Sequence, residues 1–488
     1  MERSKSIFGN ELSTKDYKKA LRTQKKSLRK FGDDRNRTYH LKAAPTPAIG
    51  QALGVRSLLP SAAPLGKLGG KSVIVGSIRM GFGHYRISMA MASAARSMGY
   101  EPYWMDLCSY DDTSCGKIIS HQNDLYSLGS RISQRSKLFN SLVWEQMNSE
   151  GFRKLSYNAA DQKNSELMTA VFGDLDKDTP FIATHAWTAQ AALHAGMTHV
   201  VNAIPDNWQM ALHLAEGAIH TIQTPSAFLG YKTLHGMDKK RVLRPMPDGS
   251  LVYTGHYVDH ELVAGIDEDC AARRKRLANN EPLRCLLSVG GAGAQENLFL
   301  GIIEQLIPHI RSGRASLFLS VGDHIEMWES LSAKVKGLKE LSTLHFNNFA
   351  ETSAFADAAR EQSVYGVHVF GDSDIFGAVY ATNLLMRASD ILITKPSELS
   401  FYPIPKLMIH RVGGHEAWGA IRSAEVGDGT YECQTLPEIL AMLDLMLTDG
   451  EVLDNMCAHI LTARDAGIYN GAYRAVELAV NGIEKQRA

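Results

Sequence analysis

Residues 71–107 read KSVIVGSIRMGFGHYRISMAMASAARSMGYEPYWMDL. A β-branched run, Val73–Val75, leads into a glycine-bearing loop that ends at His84. Ile87, Met91, Ala94, Ala95 and Met98 then recur at helical spacing, and Gly99 stands where a C-cap belongs. A second strand runs to Asp106. Strand, loop, helix and strand in that order predict a βαβ unit, and hence a parallel sheet covered by helices.

The same grammar continues outward. TPFIATHA (179–186), THVVNAIPD (198–206) and AIHTIQTPS (218–226) each read as a buried strand running into a polar loop. They extend one doubly wound domain over 71–265. After the charged stretch DEDCAARRKRLANNEP (267–282), PLRCLLSVGGAGAQENLFLGIIEQLIPHI (282–310) restarts strand, glycine loop and helix. Leu298, Phe299, Ile302, Ile303, Leu306 and Ile310 mark that helix's buried face. SLFLSVG, VYGVHVFG, DILITKP and PKLMIHRV add strands, which gives a second α/β domain over 280–455 and a helical tail over 456–488. The expected fold class is α/β, with two Rossmann-like doubly wound domains facing a cleft.

Composition agrees and adds one oddity. The 488 residues are 44% hydrophobic, with 52 basic and 52 acidic side chains and a mean hydropathy of -0.17. A disordered polyelectrolyte and a bundle of membrane spans are both excluded. The zero net charge is segregated, because residues 1–70 hold 15 Lys/Arg against 5 Asp/Glu, a net of +10. Residues 12–31 are predicted as a basic helix, and the Ala-, Pro- and Gly-rich stretch 40–70 reads as a linker. Residues 1–70 are thus expected to be a basic arm and linker. Six scattered cysteines without a CxxC pair suggest a reducing compartment, and the chain is expected to be cytoplasmic and peripheral at most.

Each half feeds a strand into a Gly-rich turn at a helix N-terminus, an arrangement that offers backbone N–H groups and a positive dipole end to an anion. The first loop contains Gly81, Gly83 and His84. There the dipole favours a neutral imidazole, able to take a proton from a hydroxyl. Asp106, some twenty residues on, can also be read as the ribose-binding acid of a dinucleotide fold, although the loop lacks GxGxxG. The second loop is Gly290, Gly291, Ala292, Gly293, Ala294 and Gln295. Further on, Lys395-Pro-Ser-Glu398 and Gly413-Gly-His415-Glu416-Ala-Trp418 follow predicted strands, where carboxylates can bind sugar hydroxyls or cap helices and Trp418 can stack.

Over residues 71–450 these motifs resemble, in order, those of GT-B glycosyltransferases of family 28. That family includes monogalactosyldiacylglycerol synthase, diacylglycerol glucosyltransferases and the N-acetylglucosaminyltransferase of peptidoglycan precursors. Met80–His84 matches its GGGH-like loop, and Ile204-Pro-Asp206-Asn-Trp208 its TD-like turn. Thr254–Val258 echoes TGxPV, Gly290–Ala294 matches GGSxGA, and Leu385–Pro396 matches MxxADLVITKPG. The chain departs at Ser397–Pro405, where the family's ribose-gripping acid is replaced by Glu398 at best. It departs again at Gly414-His415-Glu416-Ala-Trp-Gly419, where the Glu of GQExxN is kept in register but its Gln and Asn have become His415 and Gly419.

The resemblance implies an inverting transfer of sugar from a nucleotide-diphosphate sugar, such as a UDP-sugar, to a hydroxyl acceptor of which a lipid is one candidate. The donor would sit on Gly290–Ala294, Lys395, Glu398, His415 and Glu416. His84 would act as base on the acceptor side beside Gly81 and Gly83, with Asp206 in reserve. No cofactor is implied, and no metal is expected. A nucleotide-sugar epimerase or hydrolase of the same fold, and a binding protein without turnover, are the alternatives. For the basic arm, a solvated tail, an anchor on anionic membrane lipid, and a nucleic-acid or acidic-protein contact all stay open. Nucleic acid is not expected as a partner of the body.

Overall fold

A computed structural model describes residues 2–135, 151–290 and 295–482. The chain opens on a hairpin of β1 (Ser6–Ile7) and β2 (Asn10–Glu11), followed by the basic helix Thr14–Phe31. Next come β3 (His40–Pro45), β4 (Arg56–Ser61), β5 (Ser72–Ser77) and β6 (Glu101–Asp106). β7 (Phe181–Ala183), β8 (Val200–Ala203), β9 (Ile219–Ile222) and β10 (Leu251–Tyr253) complete the first half. These last eight form one sheet in the order β10-β9-β8-β7-β5-β6-β4-β3. It is parallel except for β3, which runs antiparallel to β4 at the edge.

In the second half β11 (Leu283–Ser288), β12 (Ala315–Gly322), β13 (Ser342–Phe346), β14 (Gly366–Gly371), β15 (Ile391–Thr394) and β16 (Lys406–Met408) form a parallel sheet ordered β13-β14-β12-β11-β15-β16. β5, β11 and β12 are buried at every residue, as strands covered by helices on both faces must be. Two Rossmann-like α/β domains are therefore present.

Each sheet has a switch point between two adjacent strands whose onward connections run to opposite sides. From β5 the chain moves to β6 on one side and later to β7 on the other; from β11 it moves to β12 and later to β15. Loops leaving strands on either side of such a switch point splay apart, and the crevice between them is where ligands bind in open α/β sheets. The crevices lie after β5 and β7 in the first half and after β11 and β15 in the second.

Residues 1–70 are not an arm and linker. β3 and β4 extend the sheet beside β6, with Leu41 and Leu58 buried in its core. Pro45 ends the edge strand, where a missing N–H costs least. The basic helix packs against helix Leu155–Ser165: Gln24 donates to Lys163 O (2.8 Å) and Glu166 Oε2 (2.7 Å), and Ser27 donates to Asn164 Oδ1 (3.0 Å). The crossover between halves also comes earlier than residue 265. β10 ends at Tyr253, and Val258, Leu262 and Ile266 already belong to the core of the second half.

The chain crosses back once more. Gly471 N donates to His256 O (2.9 Å) and His256 N to Ile468 O (2.6 Å). A Cβ on Gly471 would lie 2.2 Å from Gly255 O, so the two crossing segments can lie this close only with glycine there. The final helix, Gly471–Asn481, then packs Ala472, Ala475 and Val476 against Val73, Val75 and Ala90 of the first half. The expected helical tail thus binds the halves together.

Where helix Phe82–Ser97 meets helix Ile375–Ala388, buried Arg86 donates to Asn383 Oδ1. Asn383 Nδ2 (2.9 Å) and the Tyr402 hydroxyl (2.8 Å) donate to Asp259 Oδ2. Burial pushes the Asp259 carboxyl up to about 7. This polar network holds the two halves in register.

Candidate active site

His84 stands on the first turn of helix Phe82–Ser97, whose N-cap is Gly81 with φ 95°, a left-handed value that glycine adopts without strain. Its Nδ1 lies 2.8 Å from Thr184 O, just beyond the end of β7. A carbonyl only accepts, so Nδ1 carries the hydrogen and Nε2 keeps its lone pair. Ser88 locks the arrangement by donating to His84 O (2.8 Å) while bonded to Thr184 Oγ1 (2.7 Å). Burial holds His84 below the ordinary histidine value, opposed by the Thr184 bond and by the carboxylates of Glu398 and Asp206. Near neutral pH it is a free base.

The ring of His185 meets that of His84 edge-on, with centroids 4.9 Å apart. His185 Nδ1 accepts from Trp187 N (3.1 Å), and burial next to other imidazoles drives its pKa well below the usual value. Asp206, beyond β8, pairs through Oδ2 with His213 Nε2 at 2.9 Å. It is engaged as the hydrogen-bond partner of that imidazole, so one of its carboxylate oxygens is already occupied.

Glu398 comes from the second half, in the short turn after β15, and its carboxylate lies against Gly83. A Cβ on Gly83 would stand 2.0 Å from Glu398 Oε1. The carboxylate thus sits at the N-terminus of the His84 helix, where its charge is favoured. Expected on the donor side, it is a group shared with the His84 loop. Other contacts close the same seam. Arg79 pairs with Asp323 at 3.2 Å, and the Phe82 ring packs on Gly322, where a Cβ would lie 2.7 Å from it.

At the second crevice, Lys395 covers Gly290, its Cε 3.2 Å from where a Cβ would be, and its ammonium pairs with Glu416. Glu416 Oε2 also accepts from Val412 N (2.8 Å) and Gly413 N (3.1 Å), so this carboxylate caps its own turn, Gly414–Glu416, in which His415 lies. Gly291, Ala292, Gly293 and Ala294 lie outside the described residues. Gln295, with φ 76°, caps helix Glu296–Arg311 and donates to His410 O. Trp208 and Trp418 face each other between the halves, with ring centroids 6.1 Å apart, and the Arg153 guanidinium sits 4.5 Å from the Trp208 ring.

Asp106 is buried, accepts from the Tyr85 hydroxyl and from Cys108 N (2.8 Å), and is not placed to hold a ribose. That removes the dinucleotide reading. Sequence reasoning missed Thr184, His185 and His213. The strand-end signal that singled out His84 is also present in Phe181-Ile-Ala-Thr-His185. Among the described residues no group of three or more His, Cys, Asp or Glu is placed to hold a metal, and no helix is long and apolar enough to cross a membrane.

Residues 6–233 match the family model described as Domain of unknown function (DUF6937), and residues 246–480 match Domain of unknown function (DUF6938). No curated protein matches the sequence significantly. Among solved structures, the chain is similar to a UDP-GlcNAc 2-epimerase from Neisseria meningitidis bound to UDP-GlcNAc, at 12% identity and TM-score 0.43, covering 83% of this chain and 98% of that one. It is similar to α,α-trehalose 6-phosphate synthase from Burkholderia multivorans (11%, TM-score 0.42, 86% and 100%). A glycosyltransferase from Rickettsia africae is similar at 9% and TM-score 0.34, covering 85% and 100%. Likeness this distant is no evidence of a shared activity.

Proposed function

We propose that the protein acts on a nucleotide-diphosphate sugar, and that His84 Nε2 takes the proton of an acceptor hydroxyl as that oxygen attacks the anomeric carbon. The observation that carries this reading is the His84 Nδ1 to Thr184 bond of 2.8 Å, which leaves Nε2 as a neutral base among Glu398, Asp206 and His213. A base of this kind contributes about 10²–10⁴ to rate. Attack from the face opposite the departing diphosphate inverts the anomeric centre. Lys395 over Gly290, with the free N–H groups opening helix Glu296–Arg311, is suited to the leaving anion. The order of motifs shared with family 28 supports the same assignment of halves. A lipid is one candidate for the hydroxyl acceptor.

One observation favours a second reading, an epimerase or hydrolase. His84 and Glu398 converge from opposite halves, and such a pair can remove a proton at one position and return one at another. Incubating the full-length protein with a panel of nucleotide sugars, with and without hydroxyl acceptors, and following products by mass spectrometry distinguishes the two. Acceptor-dependent release of nucleoside diphosphate supports transfer. Release or isomerisation without an acceptor supports the second reading. Binding without consumption under any condition overturns both in favour of a binding protein.

A further inference from the structure

The basic helix Thr14–Phe31 uses one side to hold on to the fold. Ala20 and Ser27 are buried, Gln24 and Ser27 bond to the Leu155–Ser165 region, and Leu28 and Phe31 pack on the first half's core. The other side carries Lys15, Lys18, Lys19, Arg22, Lys25 and Arg29, with Lys26 and Lys30 beside them, all exposed. At 1.5 Å per residue, the stretch from Lys15 to Lys30 spans roughly 22 Å. None of the eight forms an ion pair with a described carboxylate. Lys30 reaches aromatic rings instead, that of His121 at 3.0 Å and that of Phe31 at 5.2 Å from its centroid. Like charges at i,i+3 and i,i+4 oppose a helix, so this face is unfavourable alone and becomes favourable against a dense array of negative charge.

Its surroundings indicate which array. Exposed Leu21 flanks the stripe, three and four residues from Lys18 and Lys25. At its N-terminal end, Arg241 donates to Glu11 O (3.1 Å), which brings the loop Lys239-Lys240-Arg241-Val242 alongside, and Val242 is fully exposed. At its C-terminal end, the Phe31 ring packs at a tilt against His121 (5.4 Å between centroids), and Leu125, one turn further along that helix, is half exposed. Aliphatic side chains set among lysines suit the headgroup and acyl boundary of a bilayer, whereas reading nucleic acid calls for planar and hydrogen-bonding groups.

We infer that this face docks the protein on an anionic phospholipid surface, as a rigid cationic platform fixed to the first half and not as a flexible tail. The inference is independent of the sugar chemistry. Its test is co-sedimentation of the full-length protein with vesicles of phosphatidylcholine and phosphatidylglycerol (7:3) against pure phosphatidylcholine. Binding is expected to the mixed vesicles only, and to be lost at high salt.

At about fivefold per basic residue, Lys18→Gln/Arg22→Gln/Lys25→Gln lowers partitioning on the order of 100-fold. A charge-matched control in the second half, Lys275→Gln/Lys336→Gln/Lys339→Gln, is expected to bind like the native chain, and thermal melts check that both variants fold. Val242→Ser is expected to weaken binding severalfold. No binding to mixed vesicles, equal loss in the control, or unchanged binding of the stripe variant overturns the inference. So does a duplex DNA that displaces the protein from vesicles while Val242→Ser binds normally.

Discussion

The two crevices arise from one local pattern, a buried strand, a glycine turn and a helix N-terminus, yet they hold different chemistry. After β5 and β7 the strands' own loops supply imidazoles, with the Glu398 carboxylate brought against them from the other half. Those of His84 and His185 are kept neutral by burial, with one proton position fixed by Thr184 O and by Trp187 N. After β11 and β15 a full cation, Lys395, stands over a glycine and is neutralised by Glu416. A neutral base with a free lone pair suits proton removal; a lysine above a bare backbone suits an anion. The pattern says where ligands go, and the first side chains past the glycines say what is done to them.

Removing His84 is the strongest way to test that division. His84→Ala is expected to lower turnover by about 10²–10⁴ while leaving nucleotide affinity unchanged by calorimetry. Loss of affinity with turnover per bound substrate intact would show that the first crevice binds the donor. At the second crevice, Lys395→Ala removes a charge-assisted contact of about 1.5–3 kcal/mol and should weaken nucleotide diphosphate binding about 10- to 100-fold. Unchanged affinity, measured the same way, would detach the diphosphate from Gly290 and Lys395.

What could be read from the sequence follows the same line. The strand–loop–helix units are local, so residues 71–107 and 282–310 announce themselves, and His84 stands out because it directly follows a glycine. Residues 40–61 did not read as strands because a two-strand antiparallel edge, with Pro45 and Pro60, has the composition of a linker. Only the pairing of β4 with β6 and the burial of Leu58 make it a sheet. The placement of Glu398 was hidden for a different reason. Its neighbour is Gly83, 315 residues earlier, and the packing of the two halves brings them together. The positive stretch was legible as charge, but its attachment through Gln24 and Ser27 depends on partners beyond residue 160.

That long-range contact offers a gentler perturbation. A methyl group at Gly83 would overlap the end of the Glu398 side chain, which can swing away while the backbone stays. Gly83→Ala is therefore expected to fold normally and to lower turnover on the order of tenfold, by moving one group of the constellation. Combined with Glu398→Ala it should cost little beyond either change alone, since both remove the same carboxylate from the same place. Fully additive losses would mean that Gly83 acts through the loop and not through Glu398.

The smallest expected effect is the most specific. The Glu398 carboxylate favours protonated His84 and so raises its pKa against the larger, opposite effect of burial. If His84 acts as a base, kcat/KM rises with pH through the pKa of the free enzyme's His84, and the midpoint lies below that of an unperturbed histidine. Glu398→Gln removes the opposing charge, so the imidazole loses its proton at still lower pH and the acid limb moves to lower pH. Lys395→Ala, at the other crevice, is expected to leave that limb in place. A limb that shifts upward in Glu398→Gln, or moves equally in both variants, would show that the titrating group is not His84, and the two crevices would no longer divide into a proton-handling site and an anion-holding one.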